Sequence, residues 1–453
     1  MIMQQNWKRN TSVFLGGQLI SLFGSSLVQF AITWHITLTT QSGSYLTLAI
    51  ICGFVPTFFL SPFAGVWADR YDRKKLVMIA DGAIAVTTLI LAISIMLGYD
   101  ALWPLFVALG IRALGTAVQM PCIGAILPSI VPPEHLTRVN GINSSAQSII
   151  NLISPMLSAL LLKAAPYFSI FFIDVVTAAI GISIMFWFFQ LPKRESTLAG
   201  QPHDYRGELT QGISYVVHTP YLRQFFLFLS VSFFLFAPAM FLTPLQVTRN
   251  YGQDELYLMS IEIAFSVGML LGGILITTWG GFRNRIHSIA LSLALVGLCT
   301  MVLGFPLSMW LDSTGTQAPI ALWLSDIVPQ FPVSLWVYFL TMGLIGVVIP
   351  VYNTPAMVLL QEQVDPDFMG RVFGVLTMIT SSVMPMGMIV FGPIADAVPV
   401  EWLLLSTGAI IVVLSVLMLQ SKPLLAAGLP KILESSQAAP MASPDSPDHN
   451  TES

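Results

Sequence analysis

Apolar residues fall along this chain in runs of roughly twenty or more, the length of helix that crosses a bilayer core of about 30 Å. Short polar segments divide the runs, and sustained alternation of apolar with polar residues is missing. Only helices and closed barrels satisfy their backbone in hydrocarbon, and the missing alternation excludes a barrel. The pattern predicts an all-α integral membrane protein with 12 transmembrane helices. The first six lie near 11–38, 44–66, 76–98, 103–130, 141–163 and 168–190. The second six lie near 221–247, 255–279, 286–310, 332–359, 372–396 and 400–420.

Composition agrees: 55% of the 453 residues are hydrophobic and only 9% are charged. Position matters more than the net charge of −4. Lys8, Arg9, Arg70, Arg73, Lys74, Lys75 and most other basic residues fall in connections on one side, while Lys163 and Arg249 fall on the other. Asp396 and Glu401 gather on that second side. The positive-inside rule then places both termini in the cytoplasm, as an even number of spans requires. The apolar run after Lys8 and Arg9 is too long for a signal-peptide core and reads as the first span. Cys52, Cys122 and Cys299 each sit alone in apolar runs, so neither a disulfide framework nor a metal site is expected. No cofactor is implied. No tract concentrates basic residues as a nucleic-acid-binding face does. Metalloprotease, serine-hydrolase and P-loop patterns are missing, which argues against an enzyme.

The longest connection on the basic side, 191–220, divides the spans six and six. Val131-Pro-Pro-Glu-His-Leu-Thr-Arg-Val-Asn-Gly141 and Val364-Asp-Pro-Asp-Phe-Met-Gly-Arg-Val-Phe-Gly374 share V-x-P-[ED]-x-x-x-R-V-x-G without a gap, at equivalent places in the two halves. Such equivalence fits a parallel duplication; coincidence between two polar loops is the other reading. The expected organisation is a six-helix bundle over 1–190, a cytoplasmic linker over 191–220, and a second bundle over 221–421. The polar stretch 422–453, rich in Ser, Pro and acids, reads as a disordered tail. A monomer is expected.

The strongest local signal is Gly65-Val-Trp-Ala-Asp-Arg-Tyr-Asp-Arg-Lys-Lys75, between helices 2 and 3. Gly65 permits close helix approach, Asp69 suits the positive end of a neighbouring helix, and Arg70 and Arg73 suit charge-assisted bonds. Together they suggest a latch favouring one conformation; a plain topology anchor is the simpler reading. Arg112 is a basic residue deep in a span, where it needs a cavity or a partner. Asp81, Asp174 and Glu262 are acids within spans. Asp174 and Glu262, each roughly two turns from an outer helix end with Arg112 nearer the middle, are candidate proton or cation sites, whereas Asp81 reads as a structural charge partner of the latch arginines. Asn143, Gln147 and Asn151 share one helix face and either line a polar path or bond between helices. Gln18, Gln29 and Asn353 are weaker cavity candidates, and His35 near an outer helix end reads as interfacial.

The loop resembles the signature G-x-x-x-D-R-x-x-R of the major facilitator superfamily, on Gly65, Asp69, Arg70 and Arg73. The second-half counterpart, Trp279-Gly-Gly-Phe-Arg-Asn-Arg285, keeps basic residues and lacks the Asp. Arg112 is similar to the family's helix-4 arginine, which is associated with proton coupling. Ser154-Pro155 stands where exporters of the superfamily have Gly-Pro. Along Gly17–Gly24, Ala64–Arg70, Ile79–Asp81 and Arg138–Gly141 the chain resembles the macrolide-efflux branch of drug:proton antiporters. The resemblance implies two pseudo-symmetric six-helix bundles in a bacterial cytoplasmic membrane. It also implies export of hydrophobic, macrolide-like antibiotics by proton antiport and alternating access. The partners would be such a molecule, a proton or other cation, and lipid. An importer, a siderophore or metabolite exporter, and a non-transporting sensor or scaffold are the rivals.

Overall fold

A computed structural model describes residues 7–99, 101–189, 205–252, 255–305, 333–365 and 368–429. Among them the chain is helical and has no strand. The first half comprises α1 (Trp7–Thr40), α2 (Gly43–Arg70), α3 (Arg73–Met96), α4 (Trp103–Ile130), α5 (Pro133–Ala164) and α6 (Tyr167–Phe188). A connecting helix, α7 (Tyr205–His218), precedes α8 (Pro220–Phe241) and α9 (Thr243–Tyr251). Then come α10 (Glu255–Trp279), α11 (Arg285–Gly304), α12 (Val333–Gln363), α13 (Met369–Ala397), α14 (Val400–Gln420) and the short α15 (Lys422–Ala427). Taking α8 and α9 as one span, 12 helices are long and apolar enough to cross a membrane.

The helices overrun the apolar runs wherever the flanking chemistry permits. Pro133 at the start of α5 needs no hydrogen-bond partner for its nitrogen, so that helix begins within the repeated polar loop. Asp72 caps α3 by accepting from the Lys74 and Lys75 amides at 2.9 and 3.4 Å. Asn284 caps α11 at the corresponding place in the second half, accepting from Ile286 N at 2.9 Å. There the turn is made by Gly280 and Gly281, both at positive φ (74° and 78°), a conformation that favours glycine. The seventh apolar run is broken at Leu242, because Pro244 in the first turn of α9 has no N–H to continue the ladder.

Two six-helix bundles result. In the first, α1 packs on α5 and α6, and α4 on α2 and α3; in the second, α10 packs on α12, α11 on α12 and α14, and α8 on α13. Glycines allow the closest approaches: a Cβ on Gly272 would lie 2.1 Å from the Val347 carbonyl oxygen on α12. Large apolar side chains such as Trp187, Leu270, Leu340 and Val413 are exposed, as a lipid-facing surface requires.

The polar segment after α14 begins in order. Asn284 Nδ2 donates to Leu425 O at 2.9 Å and Gln363 Nε2 to Ala427 O at 2.9 Å, with Leu424 fully buried. Burial of that leucine draws residues 422–429 onto the second bundle, whereas the expected disordered tail covered 422–453. Residues 430–453, and 191–204 of the expected linker, lie outside the described residues.

Candidate functional site

The bundles meet through α2 against α13 and α5 against α10. Away from the terminal face, where α1 begins and α14 ends, they are stitched together. Asp396 at the end of α13 accepts from Ser42 Oγ at 2.8 Å and from the amides of Gly43 and Ser44 at 2.7 and 2.9 Å. Arg249 of α9 pairs with Asp396 at 2.9 Å and donates to Gln41 O at 2.7 and 2.9 Å. Gln41, the hinge of this turn, has φ +48°. One turn below, Thr47 Oγ1 donates to Met388 O at 3.0 Å.

Beneath that seam lies a cavity of about 1590 Å³. Its lining runs from Gln29, Phe30 and Leu109 at mid-helix to Gly65, Ile123 and Asn143 towards the terminal face. One wall is aromatic, from Phe54, Phe58, Phe59 and Phe63 of α2 together with Phe30. Thr377, Met378, Ser381 and Ser382 of α13 are the second bundle's contribution among the described residues.

Polar groups enter the first bundle in two layers, set by a seven-residue step on three helices: Gln18 and Ser25 on α1, Asp81 and Thr88 on α3, Gln119 and Arg112 on α4. Seven residues are two helical turns, about 10 Å along the axis. The deeper layer, farther from the terminal face, holds an ion pair. Arg112 Nη1 lies 2.6 Å from Asp174 Oδ2 of α6, and both residues are buried. Nη1 also donates to Thr88 Oγ1 at 2.7 Å and Nη2 to Ser25 O at 2.8 Å. Ser25 Oγ donates to Asp174 Oδ1 at 2.9 Å and Thr88 Oγ1 to Oδ2 at 2.9 Å. A buried charge is tolerable when paired and hydrogen-bonded in this way.

The nearer layer has a carboxylate and, among the described residues, no cation. Asp81 Oδ1 accepts from Ser21 Oγ at 2.9 Å and from Gln119 Nε2, and Oδ2 accepts from Gln18 Nε2 at a long 3.4 Å. The expected partnership of Asp81 with the latch arginines is therefore replaced by a cavity-wall position. Eight residues of helix, about 12 Å, separate Asp81 from Arg73, whose Nε and Nη1 donate to Ala68 O and Ala125 O at 2.8 Å each.

Gln18, Gln29, Asn143, Gln147 and Asn151 all line the cavity, and Gly65 stands at its rim. Asn353 is exposed elsewhere on α12. Arg70 is exposed at the end of α2, and the Asp69 side chain lies outside the described residues. Glu262 is half-buried on α10, away from the cavity lining, with no hydrogen bond or ion pair among the described residues. Its neighbours Leu258, Ile261 and Phe265 belong to an apolar core. His35 stacks on Tyr167 with ring centroids 4.0 Å apart. Ser21, Ser25, Thr88 and Gln119 join the site without having stood out in the sequence, where the seven-residue step is the one signal for the last three.

A family model described as Major Facilitator Superfamily matches residues 14–388. "Macrolide efflux protein A" of Streptococcus pyogenes is 30% identical over 412 residues, covering 91% of this chain and 95% of that protein. "Enterobactin exporter EntS" of Salmonella paratyphi A (strain ATCC 9150 / SARB42) is 27% identical over 172 residues, covering 36% of this chain and 41% of that one. Among solved structures, the nucleoside transporter NupG matches with TM-score 0.61 at 14% identity, covering 89% of this chain and 98% of that one. A bacterial homologue of the iron transporter ferroportin in an inward-facing state matches with TM-score 0.61 at 15% identity, covering 91% and 98%. With this architecture and these matches, the chain is a multi-pass membrane transporter that belongs to the major facilitator superfamily.

Proposed function

We propose that this protein exports hydrophobic small molecules, macrolide-like antibiotics among them, across the cytoplasmic membrane in exchange for protons. The observation that carries the reading is the cavity: a phenylalanine wall large enough for a bulky apolar molecule, beside ionisable groups held inside the bundle. The similarity to macrolide efflux proteins over nine-tenths of the chain supports the same substrate class. With both termini in the cytoplasm, the seam of Arg249 and Asp396 is the outer gate, and the cavity loads from the inside.

Opening outward requires the seam to part and the inner ends of α2, α4, α5 and α13 to close. Gly65, Asp69, Arg70 and Arg73 act as the latch of that outward-open state. A ligand shifts the balance between the two states only by binding them unequally. Arg112, Asp174 and Glu262 are the proton-coupling candidates. A proton moving inward down the membrane potential gains about 2.3 kcal/mol per 100 mV. Protonation of Asp174 would release Arg112 from its partner and loosen the contacts of α1, α3, α4 and α6 at one point.

Everted membrane vesicles test the reading. Energised vesicles containing the protein should accumulate a labelled macrolide, and a protonophore should abolish the accumulation. Accumulation that survives the protonophore removes the antiport, and uptake by right-side-out vesicles alone reverses the direction.

A further inference from the structure

The two polar layers share a plan and differ in the helix that supplies the carboxylate, α6 in the deeper and α3 in the nearer, and in the residue that α4 brings to it. Each sets a carboxylate among a helix-1 residue, a helix-4 residue and hydroxyl or amide donors. In the deeper layer α4 supplies Arg112, which neutralises Asp174 at 2.6 Å. Two turns along, the α4 residue is Gln119, and the donors that hold Asp81 among the described residues are all neutral. Asp81 and Arg112 are the ionisable groups among the described lining residues. Since the charge of Arg112 is paired with Asp174, Asp81, 2% exposed in the cavity wall, is the lining carboxylate left without a cation among the described residues. A carboxylate in low dielectric interacts far more strongly with a cation than it does in water.

We propose that Asp81 is the charge-selecting residue of the cavity, and that the transported class is a lipophilic molecule carrying a single positive charge. The cationic centre takes the place in the nearer layer that the Arg112 guanidinium holds in the deeper one. Oδ2, whose bond from Gln18 is long, is the oxygen it meets, while Gln119 and Ser21 keep Oδ1 in position. The apolar body lies against Phe54, Phe58 and Phe59, whose ring faces also favour a cation. The same geometry disfavours anions of equal size. This assignment rests on the cavity being the export site.

Binding to the purified full-length protein in detergent tests it with two ions of matched shape, tetraphenylphosphonium and tetraphenylborate. The wild type should bind the phosphonium at least tenfold more tightly than the borate. Asp81→Asn should weaken phosphonium binding at least tenfold, and Asp81→Glu should retain it within a few-fold. Gln119→Arg should weaken it at least tenfold with the carboxylate intact, by recreating in the nearer layer the pair of the deeper one. Equal affinity of the wild type for the two ions, or undiminished phosphonium binding by folded Asp81→Asn, overturns the proposal. Thermal unfolding establishes which variants fold, and the wild-type comparison of the two ions decides the matter even if neither Asp81→Asn nor Gln119→Arg does. Failure of export is read separately. Vesicles that accumulate no macrolide, beside detergent protein that prefers the phosphonium, overturn the export reading alone. Macrolide accumulation without a charge preference overturns this one alone.

Discussion

Arg112 sits in a span at a cost of about 2.5–3.5 kcal/mol on insertion scales, and Asp174, Thr88 and Ser25 offset that cost by meeting its two terminal nitrogens. Each member depends on the other, because an arginine or aspartate left alone in the bundle is a buried, uncompensated charge. Arg112→Leu or Asp174→Leu alone should lower stability by about 3–5 kcal/mol, and the double variant should regain most of it. Thermal unfolding in detergent measures the cycle. If the pair also couples protons, the double variant folds and no longer concentrates macrolide in energised vesicles. If it is a brace only, transport returns with the fold. Glu262 presents the opposite case. It has no partner among the described residues, so Glu262→Gln removes a charge that nothing compensates, and stability should hold or rise. A fall in unfolding temperature would reveal a partner; retained fold with lost protonophore-sensitive transport would identify a proton site.

At the scale of helices, the apolar runs announced the spans because hydrocarbon imposes one requirement on every crossing segment. They did not announce where helices continue beyond the hydrocarbon. Pro133, Asp72 and Asn284 govern those ends through local capping, which hydropathy does not register. The candidate site was legible in part for a related reason. Arg112, Asp174 and Asp81 stood out because charges are costly in spans, whereas Ser25, Thr88 and Gln119 are ordinary residues until three helices bring their seven-residue steps into register. The place of Asp81 near the same helix end as Arg73 suggests a contact with the latch, and the axial rise of α3 carries it away. Helix packing yields its own expectation. α10 and α12 approach through Gly268, Gly272 and Gly346, each with a neighbouring carbonyl about where a Cβ would go. Gly272→Leu forces those helices apart and should cost about 1–3 kcal/mol, whereas Gly273→Leu, with nothing within 4 Å of its Cβ position, should be nearly neutral. Unfolding temperatures of the two variants check the contrast.

For the molecule as a whole, the proposed export requires two access states, and the balance between them turns on contacts present in only one. The seam joining Gln41–Ser44 to Arg249 and Asp396 is such a contact, and it spans the two bundles. Arg249 and Asp396 are each 29% exposed, so solvent screens their attraction and the pair itself is worth about 1 kcal/mol or less. The three donors that Ser42, Gly43 and Ser44 aim at one carboxylate add charge-assisted bonds that vanish together when the seam parts. Asp396→Ala should therefore shift the equilibrium towards the outward-open state by about tenfold, equivalent to about 1.4 kcal/mol, and Arg249→Ala should shift it less. A cysteine at Gln29, on the cavity wall beneath the seam, reports the change. In a background without Cys52, Cys122 and Cys299, an impermeant maleimide added outside should label it several-fold faster in Asp396→Ala than in the parent. If the proposed inner latch holds the other state, Arg73→Ala should act in the reverse sense and slow outside labelling. Equal labelling in all three would mean that neither rim sets the balance, leaving the paired helices α2–α13 and α5–α10 to hold the states apart by packing alone.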